Sequence, residues 1–423
     1  MDTRELIGIL TIPLFSGAIG YTTNWTGVWM LFNPVRFRGF ELPGLAPLAK
    51  LLPRKLQQVP GIMNGGVGWQ GIIPSRAAKM GSIAVDKGIA KVGSPQEFFD
   101  QLDRDKLSQQ ILESSRSDIG ELVERVMLRE HPQFWRDLPP GMRARIEQRV
   151  QEQLPEVIDD VTDELGSHID ELIDVKLMVI RHIEENPELA NKVFQSVGEK
   201  ELKLIVNLGF VFGFIFGIPV AVLTAVIGSP VVLLVLGPVV GWVTNWLAII
   251  MIFEPVEPRK IGPFTLHGMF LRRQHDAAEV YASVIADDII TVRNFGEELL
   301  HGPRGDKTKT LIAASLRPAI DRAAGPLLPA VRLAMGPREY DAFREGVASE
   351  SVEYTVTPLS DPDFNRDRAE EVHGLIVDRM RKLPPKDFAE MMRSAMREDE
   401  WLLLAHGAVL GVVGGLLHAA AFA

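Results

Sequence analysis

Residues 20–35 read GYTTNWTGVWMLFNPV and lie in a charge-free stretch that begins at Leu6. The pattern returns 221 residues later as GWVTNWLAIIMIFEPV, residues 241–256. Gly20, Thr23, Asn24, Trp25, Met30, Phe32, Pro34 and Val35 face identical residues in Gly241, Thr244, Asn245, Trp246, Met251, Phe253, Pro255 and Val256. Eight identities in sixteen positions, with tryptophan and proline among them, set chance aside. The likeness continues outward: GIIPSR from Gly71 sets against GMFLRR from Gly268, now at an offset of 197. The first copy therefore carries 24 additional residues in between.

Four runs lack any Asp, Glu, Lys or Arg: Leu6–Phe32, Leu204–Ile227, Val231–Phe253 and Trp401–Ala423. Each has 23 residues or more, and a helix of about 20 crosses the hydrocarbon core of a bilayer. Highly charged sequence separates the first from the second and the third from the fourth, which favours transmembrane helices over buried core helices. The first run is too long for a secretory signal and its flank, Asp2, Arg4 and Glu5, is mixed in charge. It is expected to stay as a span. Gly209, Gly213 and Gly217 match Gly407, Gly411 and Gly415 at an offset of 198, so the second and fourth runs correspond as well. Small residues at this spacing let two helix backbones approach closely.

The predicted fold is an all-α membrane protein with four transmembrane helices built as two parallel repeats, each carrying a helical cytoplasmic insertion. The spans are 6–32, 204–227, 231–253 and 401–423; the insertions are 33–203 and 254–400. The turn Gly228-Ser229-Pro230 joins the halves. Orientation follows from lysine and arginine beside the spans. Arg36, Arg38, Lys50, Arg54 and Lys55 follow the first, and Lys192, Lys200 and Lys203 precede the second. Arg259, Lys260, Arg272 and Arg273 follow the third, and Arg381, Lys382, Lys386, Arg393 and Arg397 precede the fourth. The opposite side carries only Arg4. Both large polar regions are thus expected in the cytoplasm and both termini outside.

These residues carry a resemblance. The duplicated G-x-x-TNW-x-x-x-x-M-x-F-x-P element, the GIIPSR that follows it and the glycine-rich last span resemble the domain-of-unknown-function family 445, bacterial membrane proteins that include the YheB-like and YjiN-like proteins. The resemblance implies a multi-pass protein of the bacterial plasma membrane; it implies no catalytic residues and no cofactor. Leu271 stands where the first copy has Pro74, a departure from the pattern.

Asn24 sits eight residues before Phe32, roughly 12 Å inside the cytoplasmic boundary, and Asn245 lies at the same depth. An amide in hydrocarbon is costly without a hydrogen-bond partner. Two readings stand for Thr23, Asn24, Trp25, Thr244, Asn245 and Trp246: polar glue where the repeats meet, or a substrate or ion site at that interface. The absence of an ionisable neighbour beside either asparagine favours glue. Trp25 and Trp246 are expected to pack on the small faces of the second and fourth spans. Pro13, Pro219 and Pro238 would kink the spans, and His406 and His418 lie in the last one.

Between the spans the sequence reads helical from Ser94, with a segment at 33–76 that suits either the lipid interface or an irregular linker. A long straight helix is expected from Pro155 to Asn186, acidic on its outer face, with Glu164, His168 and Glu171 aligned as a weak metal candidate. HGPRGDKTKT from His301 lacks the Gly-Lys-Thr pairing of a phosphate loop, and only ESVEYTVTPL from Glu350 alternates like a strand. There is no cysteine, which excludes disulfides and thiolate chemistry, and the net charge of −10 argues against broad nucleic-acid binding. No catalytic or cofactor motif is present. A non-enzymatic membrane scaffold is the favoured reading, with membrane lipids, a second copy of the chain or a cytoplasmic protein as partners. Transport of a lipid, solute or ion, through the repeat interface or along the helical bundle, is the alternative.

Overall fold

The computed structural model describes residues 3–43, 51–57, 59–63, 65–89, 93–352, 359 and 361–422. Helices dominate, and the chain divides into two compact units. One comprises Met1–Ile89, Ile180–Tyr281 and Arg379–Ala423; the other comprises Ala90–Val179 and Ala282–Asp378.

The first unit holds four helices long and apolar enough to cross a membrane: Thr3–Phe32, Pro187–Ile227, Val231–Phe253 and Glu400–Phe422. They are called the first to fourth spans below. Their outward side chains, Leu10, Val226, Val235 and Val409 among them, are exposed hydrocarbon, as lipid-facing helices require. The second span is longer than its charge-free run. It starts at Pro187, not near residue 204, because no proline interrupts the chain between Pro187 and the apolar run. Proline suits the first helical turn, whose N–H groups are unpaired anyway. Gly228 ends the helix at φ 67°, its N–H bonded to Thr224 O. Pro13, Pro219 and Pro238 all lie inside continuous helices.

Each of the first and third spans runs into a small antiparallel sheet. β1 (Arg38–Glu41) pairs with β2 (Gly66–Trp69), and β3 (Arg259–Ile261) pairs with β4 (Phe264–Leu266). Neither hairpin was expected: strands of three or four residues are too short to show an alternation. The 24 additional residues fall between β1 and β2, where the second copy has a tight turn at Gly262. Behind each sheet the chain returns to the end of its span. Gly71 N–H donates to Pro34 O and Gly268 N–H to Pro255 O, both at 2.9 Å. Glycine is needed at both places: an added Cβ would meet backbone carbon of Phe32 at 2.6 Å and of Phe253 at 2.9 Å.

Every element described in the second unit is helical. Four helices, Arg104–Glu130, Pro140–Ser167, Gly305–Ala324 and Pro337–Val352, pack in a closed ring, each against the next. The single straight helix expected from Pro155 to Asn186 is not formed. The chain is helical already from Pro140, breaks at His168, makes one turn at Ile169–Leu172 and resumes at Val175–Glu185. A long-range contact stabilises the break: the Arg304 guanidinium lies 3.3 Å from the carbonyls of Asp170, Glu171 and Ile173, supplying donors to groups that a helix end leaves unpaired. The metal candidate dissolves with it. Glu164 and His168 stay within 3.5 Å, while Glu171 turns to Lys307, and no carboxylate–histidine cluster able to hold a metal exists among the described residues. Residues 350–352 of the strand-like stretch end a helix; 353–358 and 360 lie outside the described residues.

Candidate functional site

The polar residues of the spans sit where glycines bring backbones into contact. The first and second spans meet at Gly20 and Gly209, where a Cβ added to either would fall 2.2 to 2.4 Å from the other's carbonyl oxygen. The third and fourth spans meet the same way at Gly241 and Gly407, at 2.1 to 2.6 Å. Gly213 lies against Ser16, Gly217 against Pro13, Gly411 against Gly237 and Gly415 against Leu233.

This closeness explains the asparagines. Asn24 Nδ2 donates to Ile205 O at 2.6 Å, and Asn245 Nδ2 donates to Leu403 O at 2.7 Å. Each amide lies directly over a glycine. A Cβ on Gly209 would meet Asn24 Nδ2 at 2.7 Å, and one on Gly407 would meet Asn245 Nδ2 at 2.6 Å. A carbonyl already bonded within its helix keeps a second lone pair for such a donor. Among the described residues no hydrogen bond joins the two asparagines to each other; each clips its own helix pair.

Thr23, Thr244 and Asn245 do converge, on a cavity of about 50 Å³ among the four spans that is also lined by Ser16 and His418. Thr244 Oγ1 and Asn245 Oδ1 are buried there with no hydrogen-bond partner among the described residues. The space suits ordered water, which needs two to four polar partners, and is far below the volume of an ordinary ligand pocket. Thr26 Oγ1 lies 2.9 Å from His406 Nε2, a polar link between the first and fourth spans.

Trp25 and Trp246 are not part of this constellation. They are 55% and 43% exposed and face away from the helix joints, contrary to the expectation that they pack on the small faces. Adjacent residues on a helix project about 100° apart, so a tryptophan directly after an inward asparagine cannot share its face. Trp246 instead stacks on Trp242, one turn back, with ring centroids 6.1 Å apart.

Sequence reasoning passed over a pair of ion bridges near the spans. Arg76 forms an ion pair with Asp399 at 2.6 Å without hydrogen-bond geometry, and Arg273 donates a hydrogen bond to Glu201 at 2.8 Å. Asp399 is 1% exposed and Glu201 5%. The signal was available: Arg76 and Arg273 end the aligned GIIPSR and GMFLRR, and Glu201 and Asp399 share the offset of 198. It was invisible because charges near spans read first as topology signals. Burial pushes the Asp399 carboxyl up to about 6, against the pull of the Arg76 and Lys79 cations. Comparison with family models, with curated proteins and with solved structures finds no match to this chain.

Proposed function

We propose that this chain is a non-enzymatic integral membrane scaffold of the bacterial plasma membrane, a member of the family 445 type, that presents a helical unit to the cytoplasm. The observation that carries the scaffold reading is the closed joint between the spans. Glycine backbones are in van der Waals contact, both asparagine amides are bonded to neighbouring carbonyls, and the residual space is about 50 Å³. A path for lipid or organic solute needs a wider opening at that level, so transport through the joint is disfavoured. The positive-inside bias supports cytoplasmic placement of both polar regions.

The same reading takes the two halves as parallel repeats. Corresponding contacts support it: Asn24 with Ile205 and Asn245 with Leu403, Gly20 with Gly209 and Gly241 with Gly407. The ion bridges add a reciprocal element, since the arginine of each half meets the carboxylate of the other. Two halves exchanging one ion pair each are held as a unit, which suits a structural role.

The test is the Asn24→Leu/Asn245→Leu variant in proteoliposomes. The scaffold reading expects a lower thermal unfolding temperature, with no flux of entrapped ions or small dyes through either form. Flux through the wild type that the variant abolishes at unchanged stability would overturn it in favour of transport.

A further inference from the structure

The second unit contains an open-mouthed cavity of about 630 Å³, lined mainly by its ring of four long helices. The volume falls in the range of small-molecule and lipid sites, roughly 300–1,000 Å³. Its walls are hydrocarbon from all four helices, represented by Val126, Leu154, Ile320 and Val347. A water against such walls finds few of the two to four polar partners it needs. An apolar chain needs none.

Several polar residues interrupt the apolar lining, among them Ser114, Thr162, Gln153 and Asp361, whose carboxylate accepts from the backbone N–H groups of Asp363 and Phe364. Tyr340 and Ser351 also reach the wall, but their hydroxyls are taken, by Asp321 Oδ1 at 2.7 Å and by Val347 O at 2.8 Å. Gln153 is different. Its Oε1 is buried and has no hydrogen-bond partner among the described residues, so it lacks a donor. One turn earlier on the same face stands Arg149, four residues away, where helix side chains are neighbours. Its guanidinium reaches only the carbonyl of Ala324, at 3.4 Å, and that alanine lines the cavity. No carboxylate lies within ion-pair distance of Arg149 among the described residues. A guanidinium carries five donors in a fork that fits phosphate or carboxylate.

An apolar cavity, an acceptor wanting a hydroxyl and a cation wanting an anion describe one class of molecule. We propose that the second unit binds a single-chain amphiphile with an anionic, hydroxyl-bearing head, the chemistry of a lysophospholipid. The acyl chain occupies the cavity, the hydroxyl donates to Gln153 Oε1, and the anionic group sits against Arg149. This site is independent of the scaffold role assigned to the spans and stands whether or not that role holds.

The experiment uses the full chain in diacyl-phospholipid nanodiscs, with a lysophosphatidic acid bearing a diazirine in its acyl chain. After illumination the labelled peptides are mapped by mass spectrometry. Labelling is expected on Pro140–Ser167 and Pro337–Val352, competed by unlabelled lysophosphatidic acid. Ala319→Trp, which places an indole in the cavity, should abolish that labelling while the protein keeps its unfolding temperature. Arg149→Gln should weaken competition on the order of tenfold, as loss of a charge-assisted hydrogen bond does. Oleate, which has the chain and the anion but no hydroxyl, should compete less well in the wild type and equally with lysophosphatidic acid in Gln153→Leu. Labelling confined to the spans would overturn the proposal, as would undiminished labelling of a folded Ala319→Trp protein.

Discussion

Asn24 and Asn245 show how one side chain secures a helix joint inside an apolar environment. Each amide spends a donor on a neighbour's carbonyl across a glycine contact. Interhelical hydrogen bonds in membranes contribute about 0.6 kcal/mol on average and up to roughly 1.7. Asn24→Leu is therefore expected to cost about that much, and more if leucine's bulk parts the Gly20–Gly209 contact; unfolding in lipid nanodiscs measures it. Asp399 gives a pH-dependent counterpart. Its folded value of about 6 lies above the ordinary 3.8, so the folded state holds the proton more tightly than the unfolded one. The group thus costs stability at neutral pH, and that cost fades as the pH falls through about 6 toward 4. Arg76→Gln removes the opposing cation, so it should lower the unfolding temperature at pH 7 and recover part of the loss on acidification. Asp399→Asn should flatten this dependence. An Arg76→Gln deficit that is the same at both pH values would contradict the assignment.

At the scale of elements, glycine pairs decide which spans lie side by side. Gly241 and Gly407 allow a backbone approach that any Cβ would prevent. Gly241→Leu should separate the third and fourth spans, seen as lost protection from hydrogen exchange around Leu403 with the first and second spans unaffected. In the second unit, one arginine sets a helix boundary. Arg304→Ala strips donors from the carbonyls at residues 170–173, and the segment is expected to exchange faster. Unchanged exchange there would show that local sequence, not Arg304, makes the break.

For the whole molecule, the absence of cysteine is an experimental opening. Single cysteines placed at Ser229, in the turn between the second and third spans, and at Asp159, on the acidic helix, report topology directly. The proposed orientation expects Ser229→Cys to react with a membrane-impermeant maleimide in intact cells and Asp159→Cys to react only after permeabilisation. The reverse pattern would invert the protein in the membrane. The two units also differ in what holds them: glycine-to-backbone contact and amide-to-carbonyl hydrogen bonds in one, hydrocarbon side chains around a cavity in the other.

The four apolar helices and their glycine faces were legible because a helix of membrane-crossing length needs contiguous apolar residues free of charge. The aligned motifs likewise marked Asn24, Asn245, Gly209 and Gly407 without contact information. What stayed hidden depended on partners distant in the chain. That Asn24 lies over Gly209, that Arg76 finds Asp399, and that Arg304 ends a helix at residue 172 are facts about neighbours 131 to 323 positions apart. The tryptophans were expected on the small helix faces, whereas helical rotation turns each away from the face of the asparagine before it. The cavity was beyond reach for the same reason as the ion bridges. Each of its helices is ordinarily amphipathic by itself, and the space exists only in how four of them fail to close on one another.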